Sequence, residues 1–316
     1  MLLKELLGID EEVYLVEESY LSLYTLKLTR GYLSGAQDYL KSQKVRILRV
    51  KEGNSTLGLL FFNSKDENIP VDFWSVFTGA LASSSLKAEF ESSVAFILAK
   101  NPAEQEIEVS AALWRDALNE YYSLMLVSRN LCSVCNSRPE SYESVFSENR
   151  VQRVTRILEK LKEKGYSFEG KTLEICAGNG MSTLALYRFG LDPFAVEINK
   201  CMVCQGLEQG VLNPRKALVM DARVLSRYFA PESFDGVFGF MLGLVYEFNK
   251  GLWEKIIREA ASVVKKGGFL LFTVSSKPEI EILAKALKQV AVEGIIVDNT
   301  DTEGVYDQWY FIGKKE

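Results

Sequence analysis

Beyond Lys171 the chain alternates short apolar runs with longer helix-prone stretches, and this alternation restricts the fold more than any other feature. The apolar runs occupy residues 173–177, 194–198, 217–220, 236–240, 269–274, 295–297 and 309–312, each short enough for a strand. Helical patterns fill most of the gaps, notably 252–264 and 279–290. Strands separated by helices pair in parallel rather than as hairpins, so a doubly wound sheet covered on both faces is expected. The last two runs differ. Only a short polar link, turn-like over 298–304, separates them, so the final strand is expected to run antiparallel to its neighbour.

The first of these strands ends in a glycine turn. Residues 172–186 read TLEICAGNGMSTLAL, an apolar run followed by Gly178-Asn179-Gly180 and a helix-prone stretch to Arg188. Where a strand feeds a helix in this way, backbone N–H groups can face a nucleotide-type ligand. Glycine suits the turn because it admits positive φ and lacks the Cβ that would hold a ligand off the backbone.

The chain of 316 residues has room for two domains, expected at 1–135 and 136–316. Turn-rich residues around Pro139 form the hinge, and 150–164 reads as a basic amphipathic helix leading into the first strand. The N-terminal part reads as mainly helical α+β. Asp10 is placed to cap a helix from Glu11, and further helices are expected over 72–82, 86–99 and 107–131. Two apolar runs, 45–50 and 57–62, flank Lys51-Glu52-Gly53-Asn54-Ser55 as a hairpin would.

Histidine is absent. That removes Ser-His and Cys-His nucleophile pairs, imidazole bases and imidazole metal ligands. Residues 1–150 hold 15 basic and 21 acidic side chains and the remainder 22 and 21, without the basic excess of a nucleic-acid surface. The opening MLLKELLGIDEE has no sustained apolar core, and no apolar run approaches membrane-span length, so the cytoplasm is the expected address. Five cysteines, an odd number, argue against a disulfide framework. Cys132-x-x-Cys135 and Cys201-x-x-Cys204 have thiolate-ligand spacing, with 65 residues between the pairs. Convergence on a metal and simple apolar packing both remain open for them.

The spacing of further residues resembles class I S-adenosylmethionine-dependent methyltransferases over roughly 142–314. Glu174 to Gly180 (EICAGNG) resembles the family's first motif, an acid followed by a Gly-x-Gly turn. Glu197 ends the second strand and Asp221 follows the third. Phe234-Asp235 opens the fourth, and Gly267-Gly268 after two lysines precedes the fifth. The resemblance implies a Rossmann-like seven-stranded sheet with an antiparallel last strand, and S-adenosyl-L-methionine as cofactor. It implies that Glu174, Ala177, Gly178, Asn179, Gly180, Glu197, Ile198, Asp221, Ala222 and Phe240 line the cofactor site. Glu197 would take the ribose hydroxyls in charge-assisted bonds, Asp221 the adenine amino group, and Ala222 N–H a ring nitrogen. Ile198 and Met202 would meet the adenine faces, and Tyr142 would close over the cofactor. Cys176 departs from the pattern, standing where the family often has glycine.

A nicotinamide-dinucleotide fingerprint would need a third glycine where Thr183 stands, so an NAD-dependent oxidoreductase is the weaker reading. The segment after the fourth strand (GFMLGLVYE) lacks the Asn/Asp-Pro-Pro-aromatic tetrapeptide of base-amino methylation. The expected acceptor is therefore a small molecule or a protein, with nucleic acid and membrane disfavoured. No catalytic residue is identifiable; Tyr246 and Glu247 are the nearest polar candidates. Two alternatives share the same nucleotide-side residues: a non-catalytic binding or scaffold protein, and a transferase using decarboxylated cofactor.

Overall fold

A computed structural model describes residues 1–39, 45–67, 69–131, 147–301, 304 and 306–316. The chain divides into two compact units, Met1–Met125 and Leu126–Glu316.

The first unit contains α1 (Leu2–Leu7), β1 (Glu12–Leu15), α2 (Tyr20–Thr25), α3 (Thr29–Tyr39), β2 (Ile47–Glu52), β3 (Ser55–Asn63), β4 (Phe73–Thr78), α4 (Ser84–Lys100), β5 (Gln105–Glu108) and most of α5 (Ala111–Val127). Its strands form one mixed sheet in the order β1-β4-β3-β2-β5. The hairpin is present: β2 and β3 pair antiparallel, with Glu52 opposite Ser55 across Gly53-Asn54. Gly53 takes the left-handed φ of 58° that such a tight link requires. Two helical expectations fail and a third is shortened. Residues 72–82 hold β4, where Trp74 and Val76 point into the core as β-branched and aromatic residues do on a pleated surface. Residues 12–15 form β1, short and alternating in burial, instead of a helix from Glu11. The helix over 107–131 begins only at Ala111, because Gln105–Glu108 pairs with β2 as an edge strand. Short edge strands of this kind offer too few residues for a period to emerge.

The second unit holds α6 (Glu148–Glu163), β6 (Thr172–Ile175), α7 (Met181–Arg188), β7 (Phe194–Glu197), α8 (Lys200–Glu208), β8 (Ala217–Val219), β9 (Phe234–Gly239), α9 (Lys250–Val263), β10 (Val264–Val274), α10 (Lys277–Gln289), β11 (Val292–Asp298) and β12 (Trp309–Lys315). These strands form a seven-stranded sheet in the order β11-β12-β10-β9-β6-β7-β8. β6 to β10 pair in parallel, and β12 runs antiparallel to both β10 and β11. This is the Rossmann-like sheet with an antiparallel last strand. Helix α6 buries Val151, Val154, Ile157, Leu158 and Leu161, one stripe at helical spacing. They pack with Phe238, Phe240, Phe269, Leu271, Tyr310 and Ile312 of the sheet. Each such side chain contributes roughly 1.5–3 kcal/mol of hydrophobic stabilisation, which fixes α6 and, with it, the residues at its N-terminus.

The order reverses at β6. From there β7 and β8 extend one way, and β9 and β10 the other. At such a switch point the loops leaving neighbouring strands diverge and open a crevice at the carboxyl edge, where open α/β sheets bind ligands.

Candidate functional site

The candidate site is built from the ends of β6 and β7, at the carboxyl edge of the sheet. Gly178 and Gly180 both have left-handed φ, 59° and 90°. A Cβ on Gly180 would lie 2.7 Å from Leu212 Cδ2, so the turn tolerates no larger residue without displacing its neighbours. Glu197, the last residue of β7, is nearly buried. Its Oε2 accepts from Gly178 N–H at 3.0 Å and its Oε1 from Asn199 N–H at 2.8 Å. One carboxylate thus ties the glycine turn to the start of α8, and each oxygen keeps a lone pair for a ligand. Ile198, beside it, is 61% exposed, which leaves an apolar side chain uncovered at the crevice.

Asp221 lies beyond β8, further along the same edge. It caps a short 3-10 turn by accepting from Arg223 N–H at 2.8 Å, and its two oxygens also receive the Arg223 guanidinium. The Arg223 guanidinium holds the Asp221 carboxyl below the usual carboxylate range. Ala222 is buried as the first residue of that turn. Asp221 is therefore placed as expected but already engaged. An ion pair as exposed as this one is worth about 0–1 kcal/mol and yields readily to a ligand.

On the other side of the turn, Glu174 is fully buried. Thr183 Oγ1 donates to its Oε2 at 2.6 Å. The residue that spoils the dinucleotide fingerprint thus has its own use, holding this carboxylate. Burial pushes the Glu174 carboxyl up to about 7, against the opposing pull of Ser182, Thr183 and the charge of Arg150. Its Oε1 has no hydrogen-bond partner. Such an oxygen, left bare behind a glycine turn, suits a ligand that brings a donor.

Cys176 takes a left-handed φ of 54°, a conformation that favours glycine. The backbone therefore follows the course a glycine would take. The residue is half-buried; desolvation pushes its thiol up to about 12, helped by the negative charges of Glu197, Asp221 and Glu174, which disfavours the thiolate. Phe240 is buried and stacked on Phe238 at 5.7 Å, part of the core under the crevice. Tyr246 and Glu247 follow β9 at the start of a short 3-10 turn. They are exposed, Tyr246 stacking on Phe248 and Glu247 pairing with Lys250 at 2.8 Å.

Of the cysteine pairs, Cys132 and Cys135 lie outside the described residues, as does Tyr142. Cys201 is exposed and Cys204 buried, so the second pair does not share one environment. Among the described residues no cluster suited to a metal ion occurs, and no helix is long and apolar enough to cross a membrane.

Two residues escaped the sequence reading. Asp307, just before β12, is fully buried, with Oδ1 accepting from Thr273 Oγ1 and its own N–H directed at Met241 Sδ. Burial raises its carboxyl above the usual range. Arg150 stands in the first turn of α6, where a basic residue on an amphipathic helix reads as a solvated face. Neither carries a sequence signal that would have singled it out.

Residues 172–268 match the model of a methyltransferase domain. No curated protein matches the chain. Similar solved structures include a SAM-dependent methyltransferase from Methanosarcina mazei, 16% identical, covering 49% of this chain and 96% of that one with a TM-score of 0.39. An S-adenosylmethionine-dependent methyltransferase from Clostridium acetobutylicum is 15% identical, covering 54% and 93% with a TM-score of 0.42. The amino pentose methyltransferase CalS10 from Micromonospora echinaspora, solved with SAM bound, is 10% identical, covering 55% and 100% at 0.42. The matched segment lies within the Rossmann-like sheet of the C-terminal unit and is similar to a methyltransferase domain.

Proposed function

We propose that the C-terminal unit binds S-adenosyl-L-methionine at the β6–β7 crevice and transfers its methyl group to a small-molecule or protein acceptor. The observation that carries this reading is Glu197, held by two backbone N–H groups between the glycine turn and α8 with lone pairs to spare. A carboxylate so fixed accepts both hydroxyls of a ribose without reorganising. Gly178 and Gly180 let the main chain pass close to the ligand, and the exposed Ile198 offers an apolar surface to a purine face. Asp221 exchanges the Arg223 guanidinium for an adenine amino group. The bare Glu174 Oε1 accepts from the ammonium of an amino-acid moiety.

When bound, S-adenosylmethionine supplies a methyl group activated by a sulfonium. The protein then has to hold the acceptor in line and exclude water, and positioning of this kind can supply much of the acceleration. Tyr246 and Glu247, both exposed after β9, stay the nearest polar candidates for orienting or deprotonating the acceptor.

Calorimetric titration with S-adenosylmethionine, S-adenosylhomocysteine and NAD, on wild type and Glu197→Ala, tests the proposal. Binding of the sulfur nucleotides, weakened at least about 10-fold by the substitution, is expected. Failure of the wild type to bind either would refute it. Binding without turnover on a panel of amine, hydroxyl and thiol acceptors would favour the scaffold.

A further inference from the structure

Strand β11 ends the seven-stranded sheet, and among the described residues no strand pairs with its outer edge. At seven residues it is longer than the other edge strands, β8 with three and β1 and β5 with four each. An open edge presents a row of unpaired N–H and C=O groups, which proteins ordinarily blunt with lysine, proline or a bulge. The sequence VEGIIVD contains neither lysine nor proline. Its register with β12 runs unbroken from Val292 opposite Lys315 to Asp298 opposite Trp309. Its middle is uncovered: residues 293–296 are all exposed, Ile295 at 50% and Ile296 at 38%.

The ladder to β12 fixes which backbone groups are on offer. Asn299 N–H donates to Gln308 C=O at 2.8 Å, and Ala291 C=O accepts from Glu316 N–H at 3.0 Å. Odd-numbered residues therefore turn their amide groups toward β12. The alternation of an antiparallel pair turns those of Val292, Gly294, Ile296 and Asp298 outward.

A second copy of β11 matches that row. A two-fold axis through Ile295 pairs the strand with itself antiparallel, setting Val292 opposite Asp298 and Gly294 opposite Ile296, each an outward-facing residue. All of Val292–Asp298 is then paired, whereas moving the register by two residues leaves a pairing of only about five. No acid faces an acid, because Glu293 lies opposite Val297 and Asp298 opposite Val292. A slip of one residue would oppose Glu293 to Asp298, but it also sets outward amides against inward ones, so the backbone excludes it. On one face Ile295 meets its own copy. On the other, Ile296 comes in opposite Gly294, where the Phe311 ring lies 2.5 Å from the place a Cβ would take. Both exposed isoleucines are covered in this way.

We propose that two copies of this chain join through β11, antiparallel about a two-fold axis at Ile295, into one sheet continuous across both. The surface is self-complementary, as a two-fold interface requires. Three strands, β12, β10 and β9, separate β11 from β6, so the proposal stands apart from the cofactor reading.

Sedimentation velocity of the full chain over a concentration series tests it, on wild type, Ile295→Lys, Ile295→Glu and Ile296→Pro. Far-ultraviolet circular dichroism checks that each variant is folded. Wild type should be dimeric at about 10 µM. Each charged variant sets like charges against each other at the axis and should raise the dissociation constant at least about 100-fold. Mixing Ile295→Lys with Ile295→Glu should restore the dimer, because the axis opposes position 295 to itself. Ile296→Pro removes an outward N–H and spares the ladder to β12, and it should also be monomeric. Oxidation of Ile295→Cys with diamide should link two copies through that residue, since Cα atoms of a non-hydrogen-bonded pair lie about 4.5 Å apart. Ile296→Cys, opposite Gly294, should not link to itself. A monomeric wild type overturns the proposal, whether the edge stays open or takes an extended peptide from another protein. A dimer that survives both Ile295→Lys and Ile296→Pro belongs to another surface and overturns it too. Failure of the mixed charged variants to associate, or a cross-link at 296 in place of 295, overturns the register and the proposal with it.

Discussion

Replacing Glu174 with glutamine tests the electrostatics behind the glycine turn. The carboxyl is fully buried, and its affinity for a proton rises from the ordinary 4.5 to about 7. Below the ordinary value both the folded and the unfolded chain hold the proton, so the contribution to stability is complete there. Between pH 4.5 and about 7 the unfolded chain ionises at this position while the folded chain does not, and stability declines by about 1.4 kcal/mol per pH unit. The decline ends near pH 7, after a total of roughly 3 kcal/mol. Glutamine keeps an oxygen for the Thr183 hydroxyl and places an amide where the protonated acid has its O–H, yet it does not titrate. The stability of Glu174→Gln relative to wild type should therefore rise by roughly 3 kcal/mol from pH 4.5 to pH 7.5. Urea unfolding of the full chain at several pH values measures it, with the transition of the C-terminal unit identified by its shift on adding S-adenosylhomocysteine. Other titrating groups cancel in the difference between the two proteins. A difference below about 1 kcal/mol, or of opposite sign, would show that the carboxyl ionises normally in the fold. The account of its burial would then be wrong.

A related outcome concerns ligand binding. A cationic amino group placed on Glu174 Oε1 favours the ionised carboxylate, so S-adenosylhomocysteine binding at pH 6.5 should release up to about one proton. Titrations in buffers of different ionisation enthalpy read this directly, and Glu174→Gln should abolish it. Gly180→Ala places a Cβ against Leu212 and strains a φ of 90°. It should cost about 1–3 kcal/mol in urea unfolding, and a neutral result would mean the turn is looser than described. The Cys176 thiol, pushed up to about 12, should resist iodoacetamide at pH 8 while the exposed Cys201 reacts; mass spectrometry of the alkylated peptides settles the order. Asp221→Asn should weaken S-adenosylhomocysteine binding about 10-fold, whereas Arg223→Ala, which only frees Asp221, should change it less than about 5-fold. Comparable losses in both variants would contradict the exchange of partners described for Asp221.

Much of the C-terminal unit was legible in the sequence, because a doubly wound sheet announces itself through local pattern. Buried parallel strands read as short apolar runs, crossovers as amphipathic helices, and the link at 298–304 was too short for anything but an antiparallel return. The motif positions Glu174, Gly178, Gly180, Glu197 and Asp221 fall at strand ends by the same local logic, and all lie at the carboxyl edge of one sheet. The N-terminal unit was less legible. β1 and β5 span four residues each, and the aromatic run in β4 satisfies helical and extended patterns equally well until a neighbouring strand pairs with it.

What only the tertiary structure decided is which of these side chains are left with something to bind. Sequence offered Tyr246 and Glu247 as the nearest polar candidates for the transfer step, and only the fold shows that both are exposed, with Glu247 paired to Lys250. It gave no reason to notice Arg150, which looks like one more basic residue on a helix, or Asp307 in a polar link. Packing of the α6 stripe against the sheet brings Ser147, at the start of α6, to Met181 beside the glycine turn, and the antiparallel return of β12 brings Asp307 beside Thr273. A local pattern can specify an element and the residues at its end. Whether a charge there is paired or bare depends on groups distant in the chain, and only the folded arrangement brings those together.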